Sequence, residues 1–455
     1  MKNMTIEKIA EVCKGKILGD YKQDNTEANG IYIDSRKVSK GDVFIAIEGN
    51  RVDGHDFVKS VMENGALCAV GERKLEEYFG PYILVESTLQ ALKDIAEYYL
   101  SVLDIKVVGI TGSVGKTSTK EMIASVLGER YNVYKTAGNF NNEIGLPLTV
   151  FGLRNEHEVA VLEMGISDFG EMDRLSKIDR PDIMVITNIG YCHLENLKTR
   201  DGILKAKTEC LDNMKPSSVV ILNGDDDKLI TLNSHPEIRK VFYGKDDEKF
   251  AIHASDIDDK GLAGIDFTLS ACGEKIKVHE PLPGMHNVSN ALAAAAVAKE
   301  LDMGIEEIKS GIEKASTIGG RSNFIKANGY TVIDDCYNAN PISMKAAADI
   351  LSKAEGRKIA VFGDMGELGD TERELHYGVG EHVAMTNIDA VFTAGSLSKE
   401  IGRAIKDKGA KIEVFEFNDK ENLIEELLKY KKEGDTILVK ASHFMNFSEI
   451  VKSLT

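Results

Sequence analysis

With 455 residues and 43% hydrophobic content, the chain can fill full cores in roughly two to four domains. Its formal net charge of −17 and pI near 5.2 argue against a general nucleic-acid binder and against attraction to anionic membranes. Any anionic substrate must therefore be met by basic residues gathered inside a site.

Cys13, Cys68, Cys192, Cys210, Cys272 and Cys336 are scattered without a C-x-x-C pair, so neither a zinc ribbon nor a disulfide framework is suggested. Met1 to Met4 lead into a charged amphipathic stretch rather than a signal peptide, and no apolar run reaches about 18 residues. The expectation is a soluble cytoplasmic protein, monomeric by default.

In chain order, Ile31–Ile33 and Asp42–Ile47 read as strands, Phe57–Asn64 as a short helix and Cys68–Val70 as a strand. The polar clusters Asp34-Ser35-Arg36 and Asp53-Gly54-His55 lie at strand ends and by spacing read as solvated turns. Helical spacing of Leu89, Leu92, Ile95, Ala96, Tyr99 and Leu103 predicts a linking helix over Thr88–Leu103.

From 105 to 315, strands alternate with helices, as in a mostly parallel sheet with crossover helices. Ile105–Ile110 is a buried strand, Lys116 to about Leu127 a helix, and Val159–Leu162, Ile183–Ile186 and Val219–Leu222 are continuous apolar strands. Residues 250–278 read as a small antiparallel patch, and Asn287–Leu301 as an Ala-rich helix. Gly319-Gly320-Arg321 reads as a hinge. In the last third Thr331–Ile333, Ile359–Phe362, Ala390–Phe392, Glu413–Phe415 and Ile437–Val439 are strands, with Pro341 opening a helix. The fold class is α/β, in three domains: 1–103, 104–318 and 319–455.

The clearest chemical signal is Gly112-Ser113-Val114-Gly115-Lys116-Thr117-Ser118, placed between a strand and a helix. Glycines let backbone N–H groups turn onto phosphates, and the helix N-terminus adds positive potential. Lys116 would reach the β/γ-phosphates of ATP and Thr117 would offer a hydroxyl to Mg²⁺. Ile110 stands where the strict pattern has glycine, so the loop is a variant. Glu163, closing an apolar strand before Met164-Gly165, sits where a Mg²⁺ ligand or water-orienting group belongs. Asn139, Asn141 and Asn142 could cap turns or contact phosphate and substrate, and spacing leaves both readings open. His193 reads as a strand-end histidine, and Lys207 by itself passes for a surface helix residue.

These elements together resemble the Mur ligase family, over essentially the whole chain. The resemblance rests on Thr111–Met122, Gly138–Pro147, Asp335–Met344 and Gly363–Gly369. The last two favour, within the family, the ligase that adds D-alanyl-D-alanine to UDP-N-acetylmuramoyl-tripeptide. An Asp-Asn-Pro-Arg element resembling a diaminopimelate-adding ligase is absent.

The resemblance implies an ATP- and Mg²⁺-dependent amide ligase with a small α/β N-terminal domain, a central P-loop domain and a C-terminal Rossmann-like domain. It assigns Ser35, Arg36, Asp53, Gly54 and His55 to the UDP-sugar. It assigns Glu163 and His193 to Mg²⁺, with Thr117 completing the ATP-side ion and a carbamylated Lys207 helping to hold a second, and Lys116, Glu163, His193 and Lys207 to catalysis. His286, Asn287, Asn290, Arg321, Asn338 and Asn340 fall on the nucleotide side, joining the loop residues Gly112 to Ser118.

Two segments depart from the family pattern. Leu197-Lys198-Thr199 replaces Phe-Gly-Ser, and His443 replaces an arginine, giving up a permanent charge and a bidentate donor. A folylpolyglutamate synthase-like sibling would lack the UDP-facing segment, and a GTPase would need an Asn-Lys-x-Asp reader that the chain does not contain. A non-catalytic ATP-binding scaffold would lack Glu163, His193 or Lys207.

Overall fold

The computed structural model describes every residue except Asp24, Asp246, Asp247 and Ile318. Its strands form three sheets. The first has the order Lys16–Leu18, Tyr82–Leu84, Cys68–Gly71, Val43–Ile45, Ile31–Tyr32, and only its first pairing is antiparallel. Lys16–Leu18 and Tyr82–Leu84 are too short to show a period-two pattern, which is why the sequence does not announce them. Because Ile31–Tyr32 and Val43–Ile45 run parallel side by side, the turns Ser35–Lys37 and Gly54–Phe57 emerge at the same edge.

The helix Thr88–Ser101 joins this unit to the next. Ser87 caps it through the Gln90 N–H, and its buried face carries Leu92, Ile95, Ala96 and Tyr99. The Tyr99 hydroxyl donates to the Leu153 carbonyl at 2.7 Å, so the polar tip of a buried ring is satisfied by the central region.

The central sheet has nine strands, in the order Glu274–Glu280, Ile265–Ala271, Ile252–Asp259, Arg239–Lys245, Val219–Asn223, Ile183–Ile186, Lys106–Thr111, Val159–Glu163, Val133–Lys135. It is parallel from Val133–Lys135 as far as Ile252–Asp259, and the last two strands are antiparallel. The antiparallel segment predicted near 250–278 thus extends the main sheet instead of standing apart. Pairing of Tyr243–Lys245 with Ile252–Ala254 covers what would otherwise be an open edge.

Side chains of Val159–Glu163 alternate between two cores. Ala160 and Leu162 enter the one shared with the first unit, while Val159 and Val161 enter the one beneath the Ala-rich helix Met285–Glu300. That helix packs its buried alanines against Lys116–Leu127, and small side chains permit the close approach.

The third sheet has the order Asn323–Ala327, Tyr330–Asp334, Thr436–Lys440, Lys358–Gly363, Ala390–Ala394, Glu413–Phe417, parallel except for its first strand. Gly320 belongs with it. The Gly320 N–H donates to Asp334, and its carbonyl accepts from Tyr337 N–H at 3.0 Å. Among the described residues no helix is long and apolar enough to cross a membrane.

Asp179, at the C-terminus of the helix Glu171–Asp179, is buried with neither carboxylate oxygen hydrogen-bonded. Burial pushes its carboxyl up to about 8. The folded chain therefore holds a proton that the unfolded chain has lost, and stability falls as pH rises from near 3.8 to about 8, by at most about 1.4 kcal/mol per unit. Chemical denaturation of Asp179→Asn should show its advantage over wild type widening by a few kcal/mol across that window. An advantage that does not change with pH would mean that Asp179 is ionised in the fold.

Candidate active site

The phosphate loop lies between Lys106–Thr111 and the helix Lys116–Leu127. Gly112 has φ +151°, and a Cβ there would fall 1.9 Å from Thr187 Oγ1, so both backbone conformation and space demand glycine. Gly115, at φ +83°, caps the helix.

Thr187 and Asn188, just beyond the strand Ile183–Ile186, fix the loop from outside. Asn188 accepts from Ser113 N–H through its carbonyl and from Val114 N–H through its side chain, both at 3.0 Å, while Thr187 donates to the Val114 carbonyl at 2.6 Å. Sequence reasoning missed this pair; a polar Thr-Asn directly after an apolar strand was the available signal. Lys116 folds back so that its ammonium donates to the Gly112 carbonyl at 3.0 Å.

Glu163 closes Val159–Glu163 and is almost fully buried. Thr117 Oγ1 donates to its Oε2 at 2.9 Å and Asn141 Nδ2 to its Oε1 at 2.8 Å. The ammonium of Lys120 stands 3.8 Å from Oε2 and donates to the Thr136 carbonyl at 2.6 Å. Lys120, one turn beyond Lys116, is therefore a buried cation of this site that spacing did not single out. The asparagines divide: Asn141 serves Glu163, Asn142 caps Ile144 and Gly145 N–H groups, and Asn139 is exposed.

His193 is not at a strand end. The strand stops at Ile186, and His193 precedes the short helix Leu194–Leu197 with φ +51°. Its Nδ1 lies 2.5 Å from Oε2 of Glu367, a residue of the third-sheet unit.

Lys207, far from being a surface residue, is fully buried in Arg200–Thr208 with an Nζ that has no hydrogen-bond partner. Burial pulls its amine down to about 8, and the nearby Lys116 pulls the same way. An amine poised to lose its proton is the form that adds to CO₂.

No group of three or more His, Cys, Asp or Glu side chains suited to a metal occurs among the described residues. Thr117, Glu163 and His193 alone are a thin set for a hard cation. Lys207 is not among the residues that line the cleft with them; a carbamate on its orphaned Nζ would offer the oxygens that a hard cation takes.

On the nucleotide side, the buried amides of Asn287 and Asn290 form a chain. Asn287 donates to the Pro283 carbonyl at 3.0 Å, Asn290 donates to Asn287 at 2.9 Å, and Thr119 donates to Asn290 at 2.8 Å. They fix the seam between two helices beside the loop. The neighbouring His286, on the first turn of the same helix, is exposed at the cleft.

From the third-sheet unit, Arg321 stacks on Tyr337 with its guanidinium carbon 4.1 Å from the ring centre. Asn340 caps the helix Pro341–Ser352 through Ser343 N–H at 2.9 Å. Lys440, also missed by sequence reasoning, is buried and donates to Asp335 at 2.6 Å and to the Asn338 carbonyl at 3.0 Å. A cleft of about 670 Å³ gathers Ser113 to Ser118, Glu163, His193, His286, Asn290, Arg321, Asn338, Asn340 and Lys440.

The residues expected on the UDP-sugar lie on the first sheet and do not line this cleft. Ser35 and Arg36 form an exposed turn held by Asp34, whose carboxyl Arg36 lowers to about 2. Gly54 is tight against the Ile47 backbone, where a Cβ would fall 2.7 Å away. His55 is buried and fully engaged: its Nδ1 meets Asp53 at 2.7 Å and its Nε2 accepts from Glu72 N–H at 3.0 Å. His55 thus sets the shape of this edge, where Arg36, Lys37 and Arg73 are exposed cations.

Family models match along the chain: "Mur ligase family, catalytic domain" over residues 27–100, "Mur ligase middle domain" over 110–298 and "Mur ligase, glutamate ligase domain" over 320–443. The chain is 38% identical to the UDP-N-acetylmuramoyl-tripeptide–D-alanyl-D-alanine ligase of Bacillus subtilis, covering 99% of this chain and 98% of that one. It is 33% identical to the Escherichia coli enzyme of the same name, with 100% and 99% covered. Among solved structures, MurF from Acinetobacter baumannii superposes with a TM-score of 0.91 at 33% identity, covering 99% and 98% of the two chains. MurF from Thermotoga maritima in complex with ADP gives 0.84 at 29% identity, covering 95% and 98%. Matched over nearly its whole length by these relatives, the chain belongs to the Mur ligase family.

Proposed function

We propose that this chain is an ATP-dependent amide ligase that joins D-alanyl-D-alanine to UDP-N-acetylmuramoyl-tripeptide through an acyl-phosphate. The observation that carries the reading is the single cleft in which the phosphate loop, Glu163 and His193 meet Arg321, Asn338 and Lys440 of the third-sheet unit.

In this reading the tripeptide's terminal carboxylate attacks the γ-phosphorus of ATP, the β,γ-bridging P–O bond breaks, and ADP leaves as the acyl-phosphate forms. Lys116 leaves the Gly112 carbonyl for the transferring phosphoryl group, where a fixed positive charge counts most. Thr117, Glu163, His193 and a carbamylated Lys207 would hold Mg²⁺, which would supply neutralisation of phosphate charge. Asn141 and Lys120 hold the Glu163 carboxylate in place throughout. The amine of the dipeptide then attacks the acyl carbon and phosphate leaves. Arg321 and Tyr337 cover the cleft on the nucleotide side and limit water, which would otherwise hydrolyse the acyl-phosphate. The turns around Ser35, Arg36 and Asp53 receive the uridine nucleotide, and the protein works as a cytoplasmic monomer.

Phosphate release assayed with ATP and UDP-N-acetylmuramoyl-tripeptide should require D-alanyl-D-alanine. Release at the same rate without the dipeptide would overturn the assignment.

A further inference from the structure

Two positive-φ residues meet across the cleft: His193 at +51° and Glu367 at +61°. Neither is glycine, and such conformations persist only where the surrounding structure over-determines them. Here the surroundings do.

Glu367 sits on the loop after Lys358–Gly363, and every residue leading to it is tied down. The Asp364 carboxylate accepts from Ser398 N–H at 2.7 Å and Leu397 N–H at 3.1 Å. Met365 N–H donates to Nε2 of the buried His376 at 2.8 Å, and Gly366 N–H donates to Ser442 Oγ at 2.9 Å. The Glu367 carbonyl then accepts from Leu194 N–H at 3.1 Å, and its carboxylate lies 2.5 Å from His193 Nδ1. The loop is built rigidly, and what it presents is a carboxylate to the one histidine of the catalytic cleft wall contributed by the 187–193 segment.

A histidine that ligates a metal through one ring nitrogen needs its other nitrogen held, commonly by a carboxylate, to fix tautomer and orientation. We infer that Glu367 is a positioning residue for His193: the third-sheet unit brings its carboxylate into ion-pair contact with Nδ1, which leaves Nε2 as the nitrogen for a cation. The inference rests on the ligase reading of the cleft.

The main-chain bond from Leu194 to Glu367 survives any side-chain change, so substitution tests the carboxylate separately from docking. Three proteins are compared: wild type, Glu367→Ala and Glu367→Gln, whose amide oxygen still accepts from Nδ1–H. Mn²⁺ affinity of the ADP complex is read by electron paramagnetic resonance, and kcat and KM for the UDP-tripeptide by phosphate release. Glu367→Ala should weaken Mn²⁺ by about 10- to 100-fold and lower kcat similarly, with KM for the UDP-tripeptide unchanged. Glu367→Gln should restore both to within several-fold of wild type.

Unchanged Mn²⁺ affinity in Glu367→Ala overturns the inference while leaving the ligase reading intact. So does equal damage from Ala and Gln, which would mark a contact that only maintains the fold. If wild type itself releases phosphate without the dipeptide, the ligase reading fails instead.

Discussion

Replacing Lys116 by alanine lowers turnover by a factor on the order of 10³ or more, because a fixed charge facing a transferring phosphoryl group is worth that much in related chemistry. Binding of the UDP-tripeptide is spared. The reason is spatial: Lys116 lies in the central cleft, whereas Arg36, Asp53 and Arg73 lie on the first sheet, outside the residues that line it. The loop itself survives, since it is held by Thr187 and Asn188 rather than by the lysine, whose one hydrogen bond goes to Gly112. Isothermal titration with the UDP-tripeptide and steady-state phosphate release separate the two effects. Parallel loss of binding and turnover would refute this division of labour.

Lys207→Ala has the second large effect, a loss on the order of 10²-fold or more, with partial recovery on adding short carboxylic acids such as acetate. A buried ammonium without a partner is costly, and the chain reduces that cost by lowering the amine to about 8. Burial favours the neutral amine, which is the form that would add CO₂ to give the proposed carbamate. The sign follows directly. Below about pH 8 the amine is increasingly protonated, so activity at fixed bicarbonate should fall with decreasing pH and be raised again by added bicarbonate. Absence of rescue by any acid, with an intact-protein mass lacking one CO₂, would remove the carbamate from the mechanism.

The contrast between these two lysines shows what could be read before folding. Lys116 is legible because a glycine loop between an apolar strand and a helix has one common use, and its geometry is local. Lys207 has no such mark: Lys205-Ala206-Lys207 looks like a solvated helix face, and only its resemblance to the family singled it out. Its burial comes from how Arg200–Thr208 packs against the rest of the central unit. His193 was placed at a strand end by sequence, yet the strand stops at Ile186 and the chain reaches its position through a left-handed turn.

The sequence by itself determined the α/β class, the alternation that builds the parallel sheets, the phosphate loop with its two obligatory glycines, and Glu163 at the end of its strand. These are local facts: hydrophobic period, turn chemistry and spacing act within a few residues. The tertiary structure decided which polar groups are partners. It set Asn141 and Lys120 on Glu163, Asn188 on the loop and Lys440 on Asp335, and it brought Glu367 to His193 across 174 residues of chain. Hydrogen bonds and ion pairs of this kind join residues distant in sequence, and no periodicity encodes them. They appear only when separate sheets bring their loops to a common cleft.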